Sequence, residues 1–417
     1  MSKWQTRTLG QISQMCLGKM LDEKKNKGKP QPYLANINVR WGRFDLSSLN
    51  EMRFEDSEQD RYGLKFGDLV VCEGGEPGRC ALWKDQVPGM RIQKALHRVR
   101  INSDHNNEFS YYRLLLAGKR GELAKYFIGS TIKHLTGIGL KQVAFEFPTL
   151  KAQQKIAAVL SALDAKIDCN NRINAELEAM AKALYDYWFV QFDFPDANGK
   201  PYKSSGGKMV YNSTLKREIP AGWSDDALSN VTSLIRRGLS PTYVELGGTS
   251  VLNQKCIRDQ KIIFLEARRH AAVIEAKDDR LLQHLDVLIN STGVGTLGRV
   301  AFVKRLNEKY TTVDSHVTIV RANIKRIHPD YLTWTMLRFQ PAIEAAANGS
   351  TGQVELSKSF LEELKIVVPN ATLQSRFSAF VSPLAKVMAA KEKEVEHLTQ
   401  LRDGLLPLLM NGQVTVA

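Results

Sequence analysis

The sequence lacks the short motifs that mark the common nucleotide-dependent and hydrolytic enzymes. It contains no Gly-Lys-[Ser/Thr] of a P-loop, no H-E-x-x-H and no G-x-S-x-G. It also contains no Pro-Pro dipeptide, which excludes the (Asn/Asp)-Pro-Pro-aromatic motif of amino-group DNA methyltransferases. These absences favour a binding protein with no catalytic residues of its own. An enzyme whose active site escapes these motifs stays open as an alternative.

Cysteine pairs and long apolar runs are missing as well. The five cysteines never form a C-x-x-C pair, which indicates reduced thiols and argues against a zinc site. No stretch approaches the roughly 18 apolar residues of a membrane span, and the opening "MSKWQTRTLGQI" has no apolar signal core. We therefore expect a cytoplasmic protein with no membrane partner and no metal site.

What the sequence does have is an excess of positive charge, and it is unevenly placed. The formal net charge is +14, from 58 Lys+Arg and 44 Asp+Glu. Residues 151–193 and 370–417 together hold 10 of each class, so the rest of the chain carries the whole excess. Basic globular parts on a neutral scaffold are typical of polyanion binding, although many basic proteins are merely soluble.

The chain also repeats itself. "LKQVAFEFPTLKAQQKIAAVLSALDAKI" ends one globular stretch, and "LEELKIVVPNATLQSRFSAFVSPLAKVM" ends the second, 221 positions later. Upstream, "YLANINVR" (33–40) matches "VLNQKCIR" (251–258), and Trp4 matches Trp223. One folding unit is therefore predicted twice, with little identity inside the globular parts.

The repeat decides how the glycine run in "NSTGVGTLGRV" (290–300) should be interpreted. Formally it matches the G-x-G-x-x-G dinucleotide fingerprint, but copy one has Glu73 in place of the first glycine. A dinucleotide loop must open a helix, whereas "RVAFV" and "RCALW" after the two glycine runs indicate strands. The pattern predicts a strand–turn–strand hairpin in each copy.

Two stretches of about 40 residues follow a heptad pattern, which predicts long helices. Their apolar seams also give the candidate helix-packing and partner-binding residues. These are Leu160, Leu163, Ile167, Leu177, Leu184 and Trp188 in the first helix, and Leu384, Met388, Leu398 and Leu405 in the second. Since a single seam buries little alone, we expect the helices to pack on each other; separate packing on their own domains is the alternative. Polar seam residues Asn170, Asn174 and Lys391 would weaken the seam while fixing its register.

The predicted fold class is α+β, with two repeated mixed α/β domains separated by two long helices packed as an antiparallel coiled coil. The predicted boundaries are a first globular domain (1–150), a central helix (151–193), a linker rich in Pro, Gly, Ser and Lys (194–220), a second globular domain (221–369) and a C-terminal helix (370–412).

Candidate DNA-contacting residues come from the matched segments. Arg, Lys, Asn and Gln side chains read base edges by bidentate hydrogen bonds, and "NINVRWGR" and "QKCIR" offer these types at alternating strand positions. An amphipathic strand facing water is the alternative. The candidates in these segments are Asn36, Asn38, Arg40, Arg43, Gln254, Lys255 and Arg258. Arg79 and Arg299 after the glycine runs, and the hydroxyls of Ser130, Thr131, Ser350 and Thr351, are candidates for phosphate contact; the hydroxyl residues fit turns or caps equally well.

The duplicated layout, "FPTLKAQQKIAAVLSALDAKI", "ALYDYWFVQFDFP" and "IPAGW" resemble the specificity (S) subunit of type I restriction–modification systems. The resemblance spans nearly the whole chain and is specific in the helices and linker. It implies two target-recognition domains that each read half of a split double-stranded DNA site, and antiparallel helices that fix the spacing. It also implies two modification methyltransferase subunits and restriction–translocase subunits as partners. S-adenosylmethionine, ATP and Mg²⁺ would then be bound by those partners, with no cofactor in this chain.

Two other functions stay open at this point. A stand-alone DNA-binding protein with two recognition domains would bind tightly without a methyltransferase. A coiled-coil scaffold unrelated to DNA would show no salt-dependent DNA affinity.

Overall fold

The chain forms two compact units in a computed structural model that describes residues 4–23, 26–293, 295–348 and 355–416. Unit 1 comprises Met1–Ile167 and His397–Ala417, and unit 2 comprises Asp168–Glu396. Each unit therefore contains one globular part together with pieces of two long helices.

Unit 1 combines short strands with helices on their flanks. Its strands are β1 (Gln5–Thr8), β2 (Ser13–Leu17), β3 (Lys29–Leu34), β4 (Val39–Arg40), β5 (Arg43–Phe44), β6 (Asn50–Phe54), β7 (Leu69–Cys72), β8 (Cys80–Leu82), β9 (Arg91–Ile92), β10 (Leu96–Ile101) and β11 (Ala144–Phe147). Its helices are α1 (Leu9–Ile12), α2 (Gln59–Tyr62), α3 (Asn107–Lys119), α4 (Gly137–Gln142) and the beginning of α5 (Leu150–Tyr185).

Unit 2 repeats this layout after a linker. Its strands are β12 (Met209–Asn212), β13 (Arg217–Pro220), β14 (Ser224–Ala227), β15 (Thr232–Arg237), β16 (Tyr243–Val244), β17 (Thr249–Leu252), β18 (Ile257–Arg258), β19 (Lys261–Ile262), β20 (Arg268–His270), β21 (Val287–Asn290), β22 (Val300–Phe302), β23 (Thr311–Val313), β24 (Val317–Ala322) and β25 (Lys365–Val368). Its helices are α6 (Leu228–Val231), α7 (Pro329–Asn348), α8 (Lys358–Glu363) and most of α9 (Ala371–Met410), whose last turns belong to unit 1.

The sheets confirm the predicted duplication. The central sheet has the order β2-β10-β7-β8 in unit 1 and β15-β24-β21-β22 in unit 2, antiparallel throughout. A second sheet contains the parallel pair β3–β9 in unit 1 and β17–β23 in unit 2. The first strand of each module also pairs with the last, β1 with β11 and β14 with β25.

A buried ion pair recurs at the same place in each central sheet. Arg100 donates two hydrogen bonds to the carboxylate of Asp68, at 2.8 and 2.6 Å, and Arg321 does the same to Asp286, at 2.8 and 2.7 Å. Both aspartates are buried, and a bidentate guanidinium satisfies their charge with fixed geometry. The two copies therefore share a polar anchor as well as a strand order.

A glutamine joins each module to its long helix. Gln153 donates to the Pro148 carbonyl at 2.9 Å and accepts from the Asn106 amide at 2.9 Å. Gln374 repeats this with the Pro369 carbonyl at 2.7 Å and the His328 amide at 2.7 Å. In each unit one glutamine side chain bonds both to the proline segment that precedes the long helix and to the globular module. The start of α5 and the start of α9 are therefore fixed to their modules in the same way.

The predicted seams are the buried stripes of the two long helices. In unit 1, Leu160 near the start of α5 belongs to the same apolar core as Leu406 and Leu409 near the end of α9. In unit 2 the partners are the other two ends: Tyr185 packs edge-on against Phe377, with ring centroids 5.9 Å apart. Each unit thus pairs opposite ends of the two helices, which confirms the predicted fold class and rules out separate packing of each helix.

The seam residues differ in how deeply they lie. Fully buried are Leu160, Ile167, Trp188 and Met388, and half-buried are Leu163, Leu177, Leu184, Leu384, Leu398 and Leu405. The seam residues that belong to, or pack against, the apolar cores of the two units are Leu160, Leu177, Leu184, Trp188, Leu384, Met388 and Leu405. Contact of the seam residues with a partner subunit stays a prediction.

The end of α5 and the linker form an aromatic cluster in unit 2. A π-helical segment, Asp186–Val190, follows α5 and places Trp188 and Phe189 against Phe377. In the linker, Phe194 stacks on Trp223 at 5.1 Å between ring centroids. The linker also contains the β12–β13 hairpin. The composition that marks a boundary in the sequence therefore includes an ordered, packed element.

Candidate nucleic-acid interface

The two glycine runs form the predicted hairpins. β7 pairs with β8 and β21 with β22, both antiparallel, so each glycine loop leads into a strand. Gly75 and Gly78 have φ of +73° and +85°, and Gly295 and Gly298 have φ of +74° and +83°. The loops therefore share a left-handed backbone that glycine adopts without strain, and neither opens the helix that a dinucleotide site requires.

In unit 1 the hairpin joins Asn36 and Arg79, two of the predicted site residues. The Arg79 guanidinium donates to the Asn36 carbonyl at 2.9 Å and to the Asn36 side-chain oxygen at 3.2 Å. The Asn36 side-chain amide donates to the Gly74 carbonyl at 2.8 Å. Glu76 accepts from the other Arg79 nitrogen at 3.1 Å. The guanidinium is therefore oriented by protein groups at the edge of the loop.

The loop with Ser130 and Thr131 lies against the same hairpin. Residues 128 and 134 form an antiparallel bridge, which leaves both hydroxyl residues exposed at the loop tip. The amide of Leu135 donates to the Glu73 carbonyl at 2.7 Å. A Cβ on Gly74 would lie 3.1 Å from the His134 ring, so the glycine permits this close approach. Ser130 and Thr131 form a turn here, and phosphate contact by them stays a prediction.

The alternating strand predicted for residues 36–40 is wrong. Asn36–Asn38 form a 3-10 turn, and only Val39–Arg40 continue as a strand. The cause is Asn38, which is 5% exposed and donates to the carbonyls of Asp45 and Ser48, both at 3.0 Å. Its side chain closes the turn internally, so the structure gives Asn38 a structural role and its contact with DNA stays a prediction.

A second, small hairpin presents a cationic pair in both units. Arg40 lies opposite Arg43 in β4–β5, and Arg258 lies opposite Lys261 in β18–β19. Like charges directly opposite each other disfavour a hairpin unless an anion or a carboxylate compensates them. Asp45, 3.5 Å from Arg40, is one such group in unit 1. Lys261 is absent from the sequence-based candidates, although the offset that matches Arg40 with Arg258 also matches Arg43 with Lys261.

In unit 2 the same site is built from different side chains. Asn290 donates to the Gln254 carbonyl at 3.0 Å and to the Thr296 carbonyl at 3.1 Å, and Arg299 donates to the Gly295 carbonyl at 2.8 Å. A Cβ on Gly293 would lie 2.5 Å from the Gln254 side-chain oxygen. The first glycine of the apparent fingerprint therefore makes room for Gln254.

The remaining unit 2 candidates are placed as follows. Lys255 and Arg258 are exposed, beside and after the turn that Gln254 begins. The Gln254 side-chain oxygen is buried and accepts no hydrogen bond from the described residues. Ser350 and Thr351 lie outside the described residues.

The thiols and the histidine near these sites are held in their neutral forms. Burial raises the pKa of Cys72 and of Cys256 to about 11 each, so both stay protonated thiols at neutral pH. Burial lowers the pKa of His97, whose Nε2 lies 3.2 Å from the Leu135 carbonyl. Within the described residues no three His, Cys, Asp or Glu side chains cluster as metal ligands. The arrangement offers oriented hydrogen-bond donors and cations, which suit recognition of a polyanion.

Every helix in the described part of the chain is too short or too polar to cross a lipid bilayer.

Known proteins with similar sequences and a similar fold are specificity subunits of type I restriction enzymes. The chain is 27% identical over 324 residues to the type I restriction enzyme MjaIX specificity subunit of Methanocaldococcus jannaschii, covering 74% of this chain and 69% of that protein. It is 20% identical to the type I restriction enzyme HindI specificity subunit of Haemophilus influenzae, over 99% of this chain and all of that one. The crystal structure of a type I restriction–modification S subunit from M. genitalium has the same fold, with a TM-score of 0.58 at 18% identity, over 98% of this chain and 96% of that chain.

The family model for the type I restriction modification DNA specificity domain matches residues 1–179 and 246–400, which cover most of both repeats and most of both long helices. The chain therefore belongs to the family of type I restriction modification DNA specificity domains.

Proposed function

We propose that this chain is the non-catalytic specificity subunit of a type I restriction–modification complex, in which each unit reads one half of an asymmetric, two-part DNA site. The observation that carries the proposal is the site built twice on one backbone. The same hairpin, turn and cationic pair recur in both units, but Asn36 and Arg79 are replaced by Gln254 and a differently bonded Arg299. Equal scaffolds with unequal donors favour two unlike half-sites.

The donors divide by chemistry. Asn36 and Gln254 carry amides of the type that reads adenine, and Arg79 and Arg299 carry guanidinium groups that suit guanine or phosphate. Arg40, Arg43, Arg258 and Lys261 are cationic pairs on short hairpins, which suit phosphate contacts. Asn38 is buried inside its own turn, so we leave it out of the reading set, whereas Asn36 is half-buried at the hairpin and stays in it.

The proposed partners and cofactors are those that the resemblance to specificity subunits implies. In this proposal the long helices set the unread gap between the half-sites and bind two modification methyltransferase subunits, and restriction–translocase subunits join them. S-adenosylmethionine, ATP and Mg²⁺ are bound by these partners. The outward faces of α5 and α9 are the surfaces for that docking, because the inward seam is already packed.

Methylome sequencing tests the proposal. A host without endogenous adenine methylation expresses this chain with its neighbouring methyltransferase gene, and modified bases are mapped. The expected result is one motif of two unlike parts separated by a fixed gap. A host with the methyltransferase alone serves as control and should show no such motif. A palindromic or continuous motif, or methyl transfer by this chain without the methyltransferase, would contradict the proposal.

A further inference from the structure

Unit 1 exposes four isoleucines around its candidate interface. Their exposed fractions are 65% for Ile37, 57% for Ile128, 66% for Ile132 and 74% for Ile138. Single exposed apolar side chains are ordinary, whereas several on neighbouring segments mark a contact surface. We refer to these four residues as the isoleucine patch.

The segments that carry the patch meet at one point, the glycine hairpin. Ile37 follows Asn36, whose amide donates to the Gly74 carbonyl at 2.8 Å. Ile128 and Ile132 belong to the loop closed by the bridge at residues 128 and 134, and Leu135 just after it donates to the Glu73 carbonyl at 2.7 Å. The patch therefore lies beside the oriented donors of Asn36 and Arg79.

Helix α4 adds the fourth isoleucine to this surface. Thr136 caps the helix by accepting from the Gly139 amide at 3.4 Å, and Ile138 lies in the first turn. Since α4 begins directly after the loop, the exposed Ile138 lies six residues from Ile132 in the chain.

Unit 2 keeps the backbone of the turn that carries Ile37 and of the capped helix that carries Ile138, and it changes the side chains there. Lys255 occupies the turn position of Ile37, and Ser359 occupies the position of Ile138 in α8, which Ser357 caps as Thr136 caps α4. Both Lys255 and Ser359 are exposed. An isoleucine needed for folding would be buried, whereas these isoleucines of unit 1 are exposed. Their apolar character is therefore a property of the surface, and it differs between the two units.

We propose that the isoleucine patch recognises thymine in the half-site read by unit 1, through contact with the thymine 5-methyl group. This rests on the proposed DNA-reading function and adds the base that one unit prefers. The 5-methyl of thymine is the apolar group that the base pairs present in the major groove, and aliphatic side chains pair with it where hydrogen bonds cannot. Asn36 and Arg79 beside the patch supply the polar contacts to neighbouring bases or phosphates.

Methyl removal provides a direct test. The chain in complex with its methyltransferase subunits is titrated with duplexes in which single thymines of either half-site are replaced by 2′-deoxyuridine. Affinity should fall by about fourfold at one or more thymines of a single half-site, the effect of losing one buried methyl-sized group. In Ile37→Ala or Ile132→Ala, replacing the same thymines by deoxyuridine should no longer lower the affinity, because the contact with the methyl group is already absent.

The matched control is Ile324→Ala, an isoleucine 79% exposed in a turn of unit 2. This variant should keep the full response to deoxyuridine in both half-sites. Affinity for the second half-site in the Ile37 and Ile132 variants reports that these proteins remain folded.

Three outcomes would overturn the inference while leaving the two-part recognition intact. They are an unchanged response to deoxyuridine in the two isoleucine variants, a unit 1 half-site that contains no thymine on either strand, and loss of the methyltransferase subunit from the variants with unchanged DNA binding. The last would identify the patch as a protein-docking surface. Absence of any sequence-specific binding by the wild-type complex would instead reject the proposed function itself.

Discussion

Arg402 in α9 donates to one carboxylate oxygen of Asp164 in α5 at 2.8 Å, and the hydroxyl of Tyr112 donates to the other at 2.6 Å. One carboxylate thus ties together the two long helices and the α3 helix of the globular part of unit 1. The 221-residue offset puts Ala385 and Ala181 at the equivalent positions in unit 2, and both are buried in its core. The same joint is therefore ionic in unit 1 and apolar in unit 2.

The first prediction concerns this ionic joint. Asp164→Ala removes the acceptor that Arg402 and Tyr112 share and leaves Arg402 paired with Asp403 alone. Arg402→Ala leaves a mostly buried carboxylate with one partner fewer. Each single change should lower the free energy of unfolding by about 2 kcal/mol. The double change, which copies the alanines of unit 2, should cost less than the two single effects added. Urea unfolding of the four proteins measures the coupling, and strict additivity would show that the two side chains do not interact.

The second prediction concerns Asn170, a fully buried seam residue whose side-chain amide has no hydrogen-bond partner among the described residues. Replacing this group by leucine removes an unsatisfied polar group and extends the apolar seam. Asn170→Leu should therefore raise the free energy of unfolding by about 1–3 kcal/mol. Asn171→Leu, on the exposed face of the same helix, is the control and should change stability by less than about 0.5 kcal/mol. A destabilised Asn170→Leu protein would show that the amide has a structural partner such as a bound water.

The third prediction is a pH dependence set by His97. Burial lowers its pKa below that of an unfolded histidine, so the unfolded chain binds more protons as the pH falls below about 6.5. The stability that neutral His97 provides is present above that pH and is lost progressively below it. His97→Gln should flatten this part of the stability profile between pH 5 and 7, measured by thermal unfolding at fixed ionic strength. The equivalent residue of unit 2 is Thr318, so Thr318→Val should leave the slope unchanged.

The fourth prediction separates close contact from backbone strain in the glycine loop of unit 2. Gly293→Ala puts a Cβ 2.5 Å from the Gln254 side-chain oxygen at φ +102°, whereas Gly295→Ala, at φ +74°, meets no atom of the described residues within 4 Å. Both pay a strain of about 1–3 kcal/mol, but only the first displaces Gln254. Binding to the unit 2 half-site should fall tenfold or more in Gly293→Ala, relative to Gly295→Ala, in a titration of the complex. Equal losses would remove Gln254 from the reading set.

The fifth prediction concerns the gap between half-sites. Seven residues inserted into both α5 and α9 keep the heptad phase and add about 10 Å of helix. The preferred gap should lengthen by about three base pairs, with both half-sites unchanged, in selection from spacer libraries. The same seven residues inserted at the exposed turn 197–199 of the linker should leave the gap unchanged. A changed half-site with an unchanged gap would contradict the proposed role of the helices.

Much of the fold follows from patterns that the sequence states directly. The heptad periodicity identifies the seam from Leu160 to Trp188 because residues spaced three and four positions apart lie on the same face of a helix. The 221-residue offset identifies the duplicated sheets because the two copies of the repeated sequence fold with the same strand order. The glycine hairpins follow from the strands on both sides of them.

The sequence failed where a side chain's role depends on contacts far away in the chain. Asn36 and Asn38 look equivalent in the sequence, yet one turns towards the hairpin and the other closes its own turn through Asp45 and Ser48. Lys261 pairs with Arg258 as Arg43 pairs with Arg40, and the repeat offset of 218 residues in the sequence already relates these two pairs.

The glutamine joint at the start of each long helix has an evolutionary consequence. The side chains of Gln153 and Gln374 join helix to module through the same two hydrogen bonds to main-chain groups. Each donates to a proline carbonyl and accepts from the backbone amide just before α3 or α7. Genetic exchange with a cut at this joint would preserve both bonds whichever module was supplied. Under the proposed function, recombining one half of this gene would therefore change one half-site of the recognised DNA and leave unchanged the helix surfaces proposed to bind the methyltransferase.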